Sequence, residues 1–439
     1  MARDATFNHK ADTKTAETPI RRFVLATHGS LGDLHPFIAL GQALVARGCG
    51  VVLASHPDYR AKVEAAGLHF VDYGACREDY VQDLRLKPEE IIRRLSGDHS
   101  FMIKRLIAPY LEKSIQDIQA VVAHADEVIG SSFAYGADIA ARLAGKPFTS
   151  VALQPTVMMS AWDPPQVKKA PFILHPKTAA ARMWNRAMMS IGEVFMAASQ
   201  NRVREVYHRH GLEPHIGLGG IVSEYRTLAL YSPQFAGPQP DFPPNTHIVG
   251  FPFFDSESGQ ETALAPAMEH FLNAGPAPVV FSLGTAVVYG GERFFRRAIA
   301  AAKRMKVRCV VLAGPESPLL DEDFGDQVFV AAYAPHSRLF PRASIVVHHG
   351  GVGSTAQALA SGRPQLVTPV FGDQFDNARR LAEMGLATVL PYTNWHVSSA
   401  VSHLKSLLRD SRFAGRAARC QPVIANEDGA QTAAKLLTR

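Results

Sequence analysis

Short apolar runs alternate with helical segments in two separate parts of the chain, and this alternation restricts the fold more than any other feature of the sequence. Residues 23–26 form an apolar run, residues 36–48 have helical periodicity, and another apolar run follows at residues 51–56. The same order recurs around residues 127–153 and again from residue 276 onward. Strands that alternate with helices at short spacing are typical of a parallel sheet covered by helices. The sequence therefore predicts an α/β protein with two Rossmann-like domains.

A proline-rich stretch separates the two alternating regions. Six prolines fall between Pro233 and Pro252, and a polar stretch follows them. Such a stretch between two folded regions is typical of a domain boundary. We therefore expect a disordered leader over 1–21, a first domain over 22–232, a linker over 233–275, a second domain over 276–410, and a helical tail over 411–439 that returns to the first domain.

Composition excludes several classes of protein. The 46 basic and 40 acidic residues give a formal charge of +6, which is too small an excess to indicate a nucleic-acid partner. The four cysteines lie far apart without a CxxC pair, so we expect free thiols in a reducing compartment. No apolar run approaches the roughly 20 residues of a membrane helix, and the first 22 residues lack the apolar core of a secretory signal. These features predict a cytoplasmic protein.

The segment from 154 to 212 is rich in methionine, aromatic and basic residues. Between Asp163 and Glu213 it has eight basic and four acidic residues, so it supplies +4 of the net +6. Methionine adapts to irregular apolar surfaces, and a basic amphipathic helix is able to rest on an anionic membrane. We expect this segment to line a lipophilic acceptor site or to touch the inner membrane face; a core helix with a solvated basic face is the alternative.

A glycine-rich turn follows the apolar run 345–347. Residues 348–355 read His-His-Gly-Gly-Val-Gly-Ser-Thr and lead into a helix. Glycines allow close approach of the backbone to a ligand, and a helix N-terminus offers free N–H groups and a positive dipole end. This pattern predicts a diphosphate site. The same turn matches the dinucleotide pattern G-x-G-x-x-G/A, with Asp373 22 residues after Gly351, so an NAD(P)-dependent oxidoreductase is an alternative.

The run from His348 to Ala378 resembles the donor-binding signature of the family 1, UDP-glycosyltransferase-like enzymes. The resemblance extends from about Arg22 to the C-terminus and implies the GT-B fold, in which two Rossmann-like domains face one cleft. It also implies a nucleotide-diphosphate sugar as co-substrate, with no cofactor and no metal. In that family the His-x-Gly-x-x-Ser motif contacts the pyrophosphate and a later Asp-Gln pair holds sugar hydroxyls. The expected donor-binding residues here are His349, Gly351, Val352, Gly353, Ser354, Asp373 and Gln374.

Other donor-site positions depart from the plant members of the family. Gln357 stands where those members usually carry a glutamate that binds the ribose. Tyr333 and Ala334 begin the stretch that corresponds to their Trp-x-Pro-Gln, which stacks on the base. Ser282 and Thr285 match the phosphate-side turn of the second domain. We expect Thr285, Tyr333, Ala334 and Gln357 to contact the nucleotide, with uridine and thymidine both open.

The N-terminal turn over residues 29–36 resembles the Gly-[His/Asp]-x-x-Pro element of the same family. The resemblance makes Asp33 the catalytic base, and a carboxylate is able to accept the proton of an acceptor hydroxyl. His35 and His28 flank it as substitutes. The alternative is that Asp33 only caps the following helix.

The resemblance therefore predicts an inverting hexosyltransferase that acts on a lipophilic acceptor such as a hydroxy-fatty acid lipid, a sterol or a polyphenol. Within the family the sequence looks most like the bacterial rhamnosyltransferases and the related bacterial enzymes, which leaves rhamnose from dTDP-rhamnose and glucose from UDP-glucose both open. The DxD at 321–323 lies in an acidic stretch that we interpret as a solvated loop. A lipid-binding GT-B protein without turnover is the non-enzymatic alternative, and the protein is expected to be a monomer or a homodimer.

Overall fold

The first of two large sheets in the structure is wholly parallel and has seven strands. The computed structural model describes residues 20–86, 90, 91, 94, 98–166, 173–256, 263–284, 288 and 291–439. The strands of the first sheet are β1 (Arg22–Ala26), β2 (Gly50–Ser55), β3 (His69–Asp72), β4 (Glu127–Ser131), β5 (Phe148–Ala152), β6 (Arg226–Ala229) and β7 (Thr246–Ile248). Their order is β3-β2-β1-β4-β5-β6-β7. The order reverses direction between β1 and β4, and a reversal of this kind opens a crevice at the carboxyl ends of the strands.

Helices cover both faces of this sheet. They are α1 (Leu31–Val45), α2 (Arg60–Ala65), α3 (Arg77–Leu84), α4 (Leu111–Ala123), α5 (Tyr135–Leu143) and the 31-residue α6 (Ala179–Arg209). Irregular helical turns over residues 99–110 lead into α4, and a short antiparallel pair, Ile216–Gly217 with Gly220–Ile221, follows α6. Burial on both faces explains why the strands are continuously apolar, as in Phe23 to Ala26, which are fully buried.

The second sheet repeats the design with six parallel strands. These are β8 (Val279–Ser282), β9 (Cys309–Leu312), β10 (Val328–Ala331), β11 (Ile345–His348), β12 (Gln365–Val367) and β13 (Ala387–Val389), in the order β10-β9-β8-β11-β12-β13. Its helices are α7 (Pro266–Asn273), α8 (Glu292–Met305), α9 (His336–Leu339), α10 (Val352–Ser361), α11 (Gln374–Glu383), α12 (Val397–Arg409) and α13 (Ser411–Ala425). Two parallel-sheet Rossmann-like domains, as the sequence predicts, are therefore confirmed.

The last helix, α14 (Gly429–Leu437), lies on the first domain. Its Ala430, Ala433, Ala434 and Leu437 are buried in the same apolar cluster as Phe37 of α1. The preceding helix α13 instead packs along α10 of the second domain. The segment 411–439 thus divides its contacts between the two domains.

The region between the sheets contains regular structure. Strand β7 adds the seventh strand to the first sheet, and helix α7 packs beneath the second sheet through Met268 and Leu272. Both elements lie within residues 233–275, which the sequence analysis assigns to a linker. A separate apolar cluster joins the domains, in which Phe235 and Phe251 meet Leu359 of α10 and Leu381 of α11.

Across the described ranges, no helix combines the length and the apolar character that a membrane crossing requires.

Candidate active site

The turn after β1 places Asp33 at the mouth of the cleft. Helix α1 begins at Leu31, five residues before the start that its periodicity predicts, because Ser30 caps it. The Ser30 side chain accepts from Gly32 N, and Asp33 Oδ2 accepts from Ser30 N at 2.8 Å and from Ser30 Oγ at 3.2 Å. Gly29 has φ 129°, and a Cβ there would collide with the Asp33 carboxylate. The glycine therefore allows the turn to close around Asp33.

Asp33 is at once a capping residue and a carboxyl group suited to proton transfer. Burial raises its pKa to about 6, against the lowering effect of the two bonds from Ser30. Both bonds end on Oδ2, and within the described part of the chain no hydrogen bond reaches Oδ1. A base with a pKa near the working pH is more effective than an ordinary carboxylate. The cap and the base are therefore compatible roles of one side chain.

The two histidines near Asp33 lie in different surroundings. His28 stacks on Tyr73 with ring centroids 4.3 Å apart, and His35 meets the edge of Phe254 at 5.1 Å. Burial is the main cause that lowers the pKa of each to about 3. A neutral imidazole with so low a pKa is a weaker base than Asp33.

The turn after β11 separates the two adjacent histidines. His348 is fully buried, with Nε2 2.9 Å from Gln365 Oε1, and it accepts from Gly350 N at Nδ1. His349 lies between two glycines, since a Cβ at either Gly284 or Gly351 would collide with its ring. Within the described residues His349 Nδ1 is buried and has no hydrogen-bond partner. His348 therefore has a structural role, whereas His349 presents an unpaired polar atom.

His349 is neutral at physiological pH. Burial, with a smaller contribution from His348, lowers its pKa to about 3. A neutral imidazole carries one N–H donor, which is able to bind a phosphate oxygen.

Helix α10 begins at Val352, three residues after His349. Gly351 is its N-cap, and no side chain of the described residues caps it. The first N–H groups of a helix lack partners within the helix, which leaves those of Val352, Gly353 and Ser354 to bind an anion. The Thr355 hydroxyl is buried and, among the described residues, unpaired. The predicted diphosphate residues thus lie together around one helix start.

The start of α11 carries the predicted sugar-binding pair. Asp373 is its N-cap and accepts from Asn377 Nδ2 at 2.8 Å; the same Asn377 nitrogen donates to Gly350 O at 2.9 Å. Gln374 Oε1 accepts from Val370 N and Phe371 N, which leaves its amide nitrogen as the donor for a ligand. Asn377 therefore connects the predicted sugar-binding pair to the predicted diphosphate turn.

Asp33 and Asp373 come from different domains and lie near enough for the charge of one to affect the other. Burial raises the pKa of Asp373 to about 7, and the negative charge of Asp33 is the next cause. Charges influence each other strongly only at close range in such surroundings. The carboxyl edges of the two sheets therefore face one site.

A pocket of about 590 Å³ lies toward the C-terminal end of α10, where Ala360 and Ser361 line it. Gln357 lines it together with Asp255 and Pro335. Asp255 accepts from Tyr333 Oη at 3.0 Å and from Ser337 N at 2.5 Å, so it fixes the loop before α9. The Ala334 side chain is buried in the core below the sheet, which leaves only its backbone toward a ligand.

Ser282, Thr285 and the DxD stretch at 321–323 are the remaining positions that the sequence pointed to. Ser282 Oγ lies 3.4 Å from His336 Nε2 at the end of β8. Thr285 lies outside the described residues. Glu322 of the DxD stretch binds Arg296 on the exposed surface, with Oε1 to Nη2 2.6 Å.

Sequence reasoning missed two groups that shape the site. Ser30 was detectable, because Ser-x-x-Asp is the pattern of a capping box. The contacts of Asp163 with Arg379 and Arg380 join residues more than 200 positions apart, and no local pattern indicates such pairs.

A cleft of this kind, between two parallel-sheet domains that each direct a helix N-terminus into it, is the arrangement of the GT-B glycosyltransferases. Comparison with known families agrees. The glycosyltransferase family 28 N-terminal domain matches residues 23–148, and the erythromycin biosynthesis protein CIII-like C-terminal domain matches residues 301–436.

Individual relatives support the same assignment. O-mycaminosyltylonolide 6-deoxyallosyltransferase of Streptomyces fradiae is 32% identical over 430 residues, which cover 95% of this chain and 96% of the relative. Sterol 3-beta-glucosyltransferase of Yarrowia lipolytica is 25% identical over 95% of this chain, which spans only 28% of that longer relative. The chain therefore belongs to the glycosyltransferases of this GT-B family.

Solved structures share the fold over nearly the whole chain. The glycosyltransferase of kitacinnamycin superimposes with a TM-score of 0.70 at 20% identity, covering 96% of this chain and 99% of that one. The spinosyn rhamnosyltransferase complexed with thymidine diphosphate gives a TM-score of 0.66 at 20% identity, covering 95% and 100%. Because the family is one of glycosyltransferases, the dehydrogenase interpretation of residues 351–356 is set aside.

Proposed function

We propose that this enzyme inverts the anomeric centre as it moves a hexose from a nucleoside diphosphate sugar to a hydroxyl group of a lipophilic acceptor. The observation that carries the proposal is the uncapped start of α10 beside the unpaired His349 Nδ1, with Asp33 of the other domain near enough to raise the pKa of Asp373. In this proposal Asp33 is the base from the first domain and Asp373 is a sugar-binding residue of the second.

In the proposed reaction Asp33 Oδ1 accepts the proton of the acceptor hydroxyl. The acceptor oxygen forms a bond to C1 of the sugar while the bond from C1 to the diphosphate oxygen breaks, and the electron pair leaves with the diphosphate. Because the base and the diphosphate site belong to opposite domains, attack comes from the face opposite the leaving group and inverts the configuration. Asp33 is ionised above a pKa of about 6, so it is ready to act at neutral pH.

The second domain stabilises the departing diphosphate. The free N–H groups at the start of α10 and the neutral His349 donate hydrogen bonds to its oxygens. Fixed donors of this kind cost little reorganisation as charge develops. The proposed step needs no metal ion, and undiminished transfer in the presence of EDTA is the expected result.

Asp373 and Gln374 are proposed to hold the sugar hydroxyls. A carboxyl group with a pKa of about 7 is able either to donate or to accept a hydrogen bond at neutral pH. The Gln374 amide nitrogen supplies a second donor.

The relatives support two donor types. The Streptomyces relative is named for a 6-deoxyhexose, and the spinosyn structure contains thymidine diphosphate, which favours a dTDP-deoxyhexose such as dTDP-rhamnose. The sterol relatives are named for glucose, which favours UDP-glucose. A thermal-shift panel of dTDP, UDP, dTDP-rhamnose and UDP-glucose separates these cases, because a ligand that binds only the folded protein raises its melting temperature.

The first domain offers a lipophilic surface for the acceptor side. On α6 the side chains of Trp184, Ile191, Val194 and Phe195 are exposed, Phe195 by 77%. They recur at helical spacing, so they share one face. The exposed Arg186 lies on the same helix. A helix with aromatic and aliphatic side chains beside basic ones is suited to an anionic lipid surface, and we propose that this face contacts the membrane from which the acceptor is taken.

Vesicle sedimentation tests the membrane contact. Phe195→Glu is expected to reduce binding to vesicles containing phosphatidylglycerol, while hydrolysis of the donor in solution stays as in the wild type. Equal sedimentation of both proteins would refute the contact without affecting the proposed reaction.

Release of the nucleoside diphosphate tests the proposed function. The wild type is expected to hydrolyse its donor slowly without an acceptor and to gain rate when a sterol, polyphenol or hydroxy-fatty acid lipid is added. A protein that binds the nucleotide sugar without ever releasing diphosphate would support the non-enzymatic lipid-binding alternative.

A further inference from the structure

A buried network of ion pairs joins the first domain to helix α11. Asp163 accepts from Arg380 Nη1 at 2.6 Å on Oδ2 and from Arg379 Nη2 at 3.2 Å on Oδ1. The same arginines bind Asp376, Arg380 through Nε at 2.7 Å and Arg379 through Nη2 at 2.9 Å. Gln166 N also donates to Asp376 Oδ1 at 2.9 Å. We call this group, Asp163 with Arg379, Arg380 and Asp376, the interdomain network.

The interdomain network is well shielded from water. The Asp376 side chain is fully buried, that of Arg380 is 6% exposed, and that of Asp163 is 22% exposed. The negative charges of its two carboxylates balance the positive charges of its two guanidinium groups. A buried ion that loses its partner is left without compensation, so such groups hold their geometry closely.

The loop that carries Asp163 is itself fixed to the first domain. Asp241 accepts from Ser160 Oγ at 2.5 Å and from Ala161 N at 2.8 Å. The guanidinium of Arg182, on α6, lies 4.0 Å above the ring of Trp162. The loop is therefore held by Asp241 of the first domain and by Arg182 of α6, the helix with the exposed apolar side chains.

The other end of the network lies one turn from the proposed sugar-binding pair. Asp376 is in the first turn of α11, and Asp373 is the N-cap of the same helix. A displacement of the Asp376 carboxylate is therefore expected to move the start of α11, and with it Asp373 and Gln374. The diphosphate turn leads into a different helix, α10, and its link to α11 is the bond from Asn377 to Gly350 O, one turn beyond Asp373.

We propose that Asp163 is a positioning residue for sugar binding, which acts through Arg379, Arg380 and Asp376 to hold the start of α11 against the acceptor-side domain. This inference rests on the proposed function, because it assumes that Asp373 and Gln374 bind the sugar. Under this proposal the first domain affects how tightly the protein holds the sugar part of the donor. It does not affect how tightly the protein holds the nucleotide part.

The test compares two ligands in the wild type and three variants. Calorimetry gives the Kd of a nucleotide sugar and of its nucleoside diphosphate, using dTDP-rhamnose with dTDP or UDP-glucose with UDP, whichever pair binds the wild type more tightly. In Asp163→Asn the Kd of the nucleotide sugar is expected to rise about tenfold, while that of the diphosphate changes less than about twofold. Donor hydrolysis in Asp163→Asn should slow in parallel.

Glu383→Gln is the matched control. Glu383 binds the same Arg379 through Nη1 at 2.8 Å, but on the exposed side of α11 and within one domain. It should leave both Kd values as in the wild type. Arg379→Gln, which keeps the Arg380 link, is a second variant and should give an intermediate loss of sugar affinity.

Each remaining outcome contradicts the inference. Unchanged sugar affinity in Asp163→Asn, an equal loss for sugar and diphosphate, or the same loss in Glu383→Gln would each show that the network only stabilises the fold. A wild type that binds neither nucleotide sugar would instead refute the proposed function. Thermal unfolding of each variant shows whether it is folded, and Arg379→Gln keeps the test decisive should Asp163→Asn unfold.

Discussion

Asp33 shows how one side chain is able to combine a structural role with the chemical role that we propose for it. Its Oδ2 closes the capping box with Ser30, while burial raises its pKa to about 6. The cap fixes the orientation of the carboxylate, and the raised pKa improves it as a base. The sequence proposes this residue as the base by resemblance, but its raised pKa was not predictable, because burial depends on the folded structure.

We expect Asp33→Asn to lower the rate of sugar transfer at least about a hundredfold, because an amide accepts no proton in the reaction. In the wild type, kcat/KM should rise with pH and reach half of its plateau near pH 6, where Asp33 ionises. Steady-state rates from pH 5 to 8 measure both effects.

His35→Asn is the control for this assignment. His35 lies against Phe254, and its loss is expected to leave more than about a tenth of the rate, as a residue outside proton transfer would. A hundredfold loss in His35→Asn, with Asp33→Asn still active, would transfer the role of base to the histidine.

Asp373→Asn should make the protein relatively more stable at high pH. The folded pKa of about 7 lies above the ordinary value near 4, so the acid form stabilises the fold. That contribution is complete below about pH 4 and is lost as pH rises through about 7. The variant, which does not ionise, is expected to melt above the wild type at pH 8, by roughly 1 °C for each kcal/mol regained in a chain of 439 residues.

Thermal melts at pH 5 and pH 8 measure this difference. The exposed Asp321→Asn serves as control and should shift neither melt relative to the wild type. A gain in Asp373→Asn that is equal at both pH values would exclude ionisation of Asp373 as its cause.

At the scale of the element, the start of α10 requires a residue without a side chain at position 351, because the ring of His349 occupies the place of a Cβ at Gly351. The helix has no side-chain cap in the described structure, and its free N–H groups are the ones that an anion is able to satisfy. The local sequence was sufficient to predict this strand–turn–helix unit, because its strand, glycine turn and helix are adjacent in the chain.

Gly351→Ala is expected to weaken binding of dTDP or UDP about tenfold or more, because the new Cβ displaces the His349 ring, and a misplaced donor loses most of its contribution. Calorimetry with the nucleoside diphosphate measures the loss.

Gly415→Ala is the matched control for the alanine substitution. Gly415 lies on α13, and a Cβ there meets only the flexible end of Arg419 at 3.6 Å. This variant should bind nucleotide as the wild type does and be slightly more stable, by up to about 1 kcal/mol. Normal nucleotide binding in Gly351→Ala would show that His349 does not contact the diphosphate.

At the scale of the whole molecule, α14 fastens the end of the described chain to the first domain. Leu437 is fully buried against α1, and its carbonyl accepts from Arg21. We expect Leu437→Ala to destabilise the protein by about 2–5 kcal/mol through the cavity that it leaves. Denaturant unfolding measures the loss, and the exposed Lys435→Ala should show less than about 0.5 kcal/mol.

The sequence predicted the two sheets well and the links between them poorly. Alternation of strands and helices is local, so the two Rossmann-like domains and the turn at His349 were evident from the sequence alone. The interdomain pair of Asp163 and Arg380 was not, because a charge pattern contains no information on which distant partner it meets. Strand β7 was also missed, since only three residues among prolines form it.

The position of α14 has a consequence for the order in which the molecule is made. The helix leaves the ribosome after the whole second sheet, yet it covers Phe37 of the first domain. Until then the apolar surface of α1 is uncovered in the nascent chain, although most of its own domain has long been synthesised. The first domain is therefore completed only after the second domain has been synthesised, and chaperone contacts with the nascent first domain should concentrate on α1.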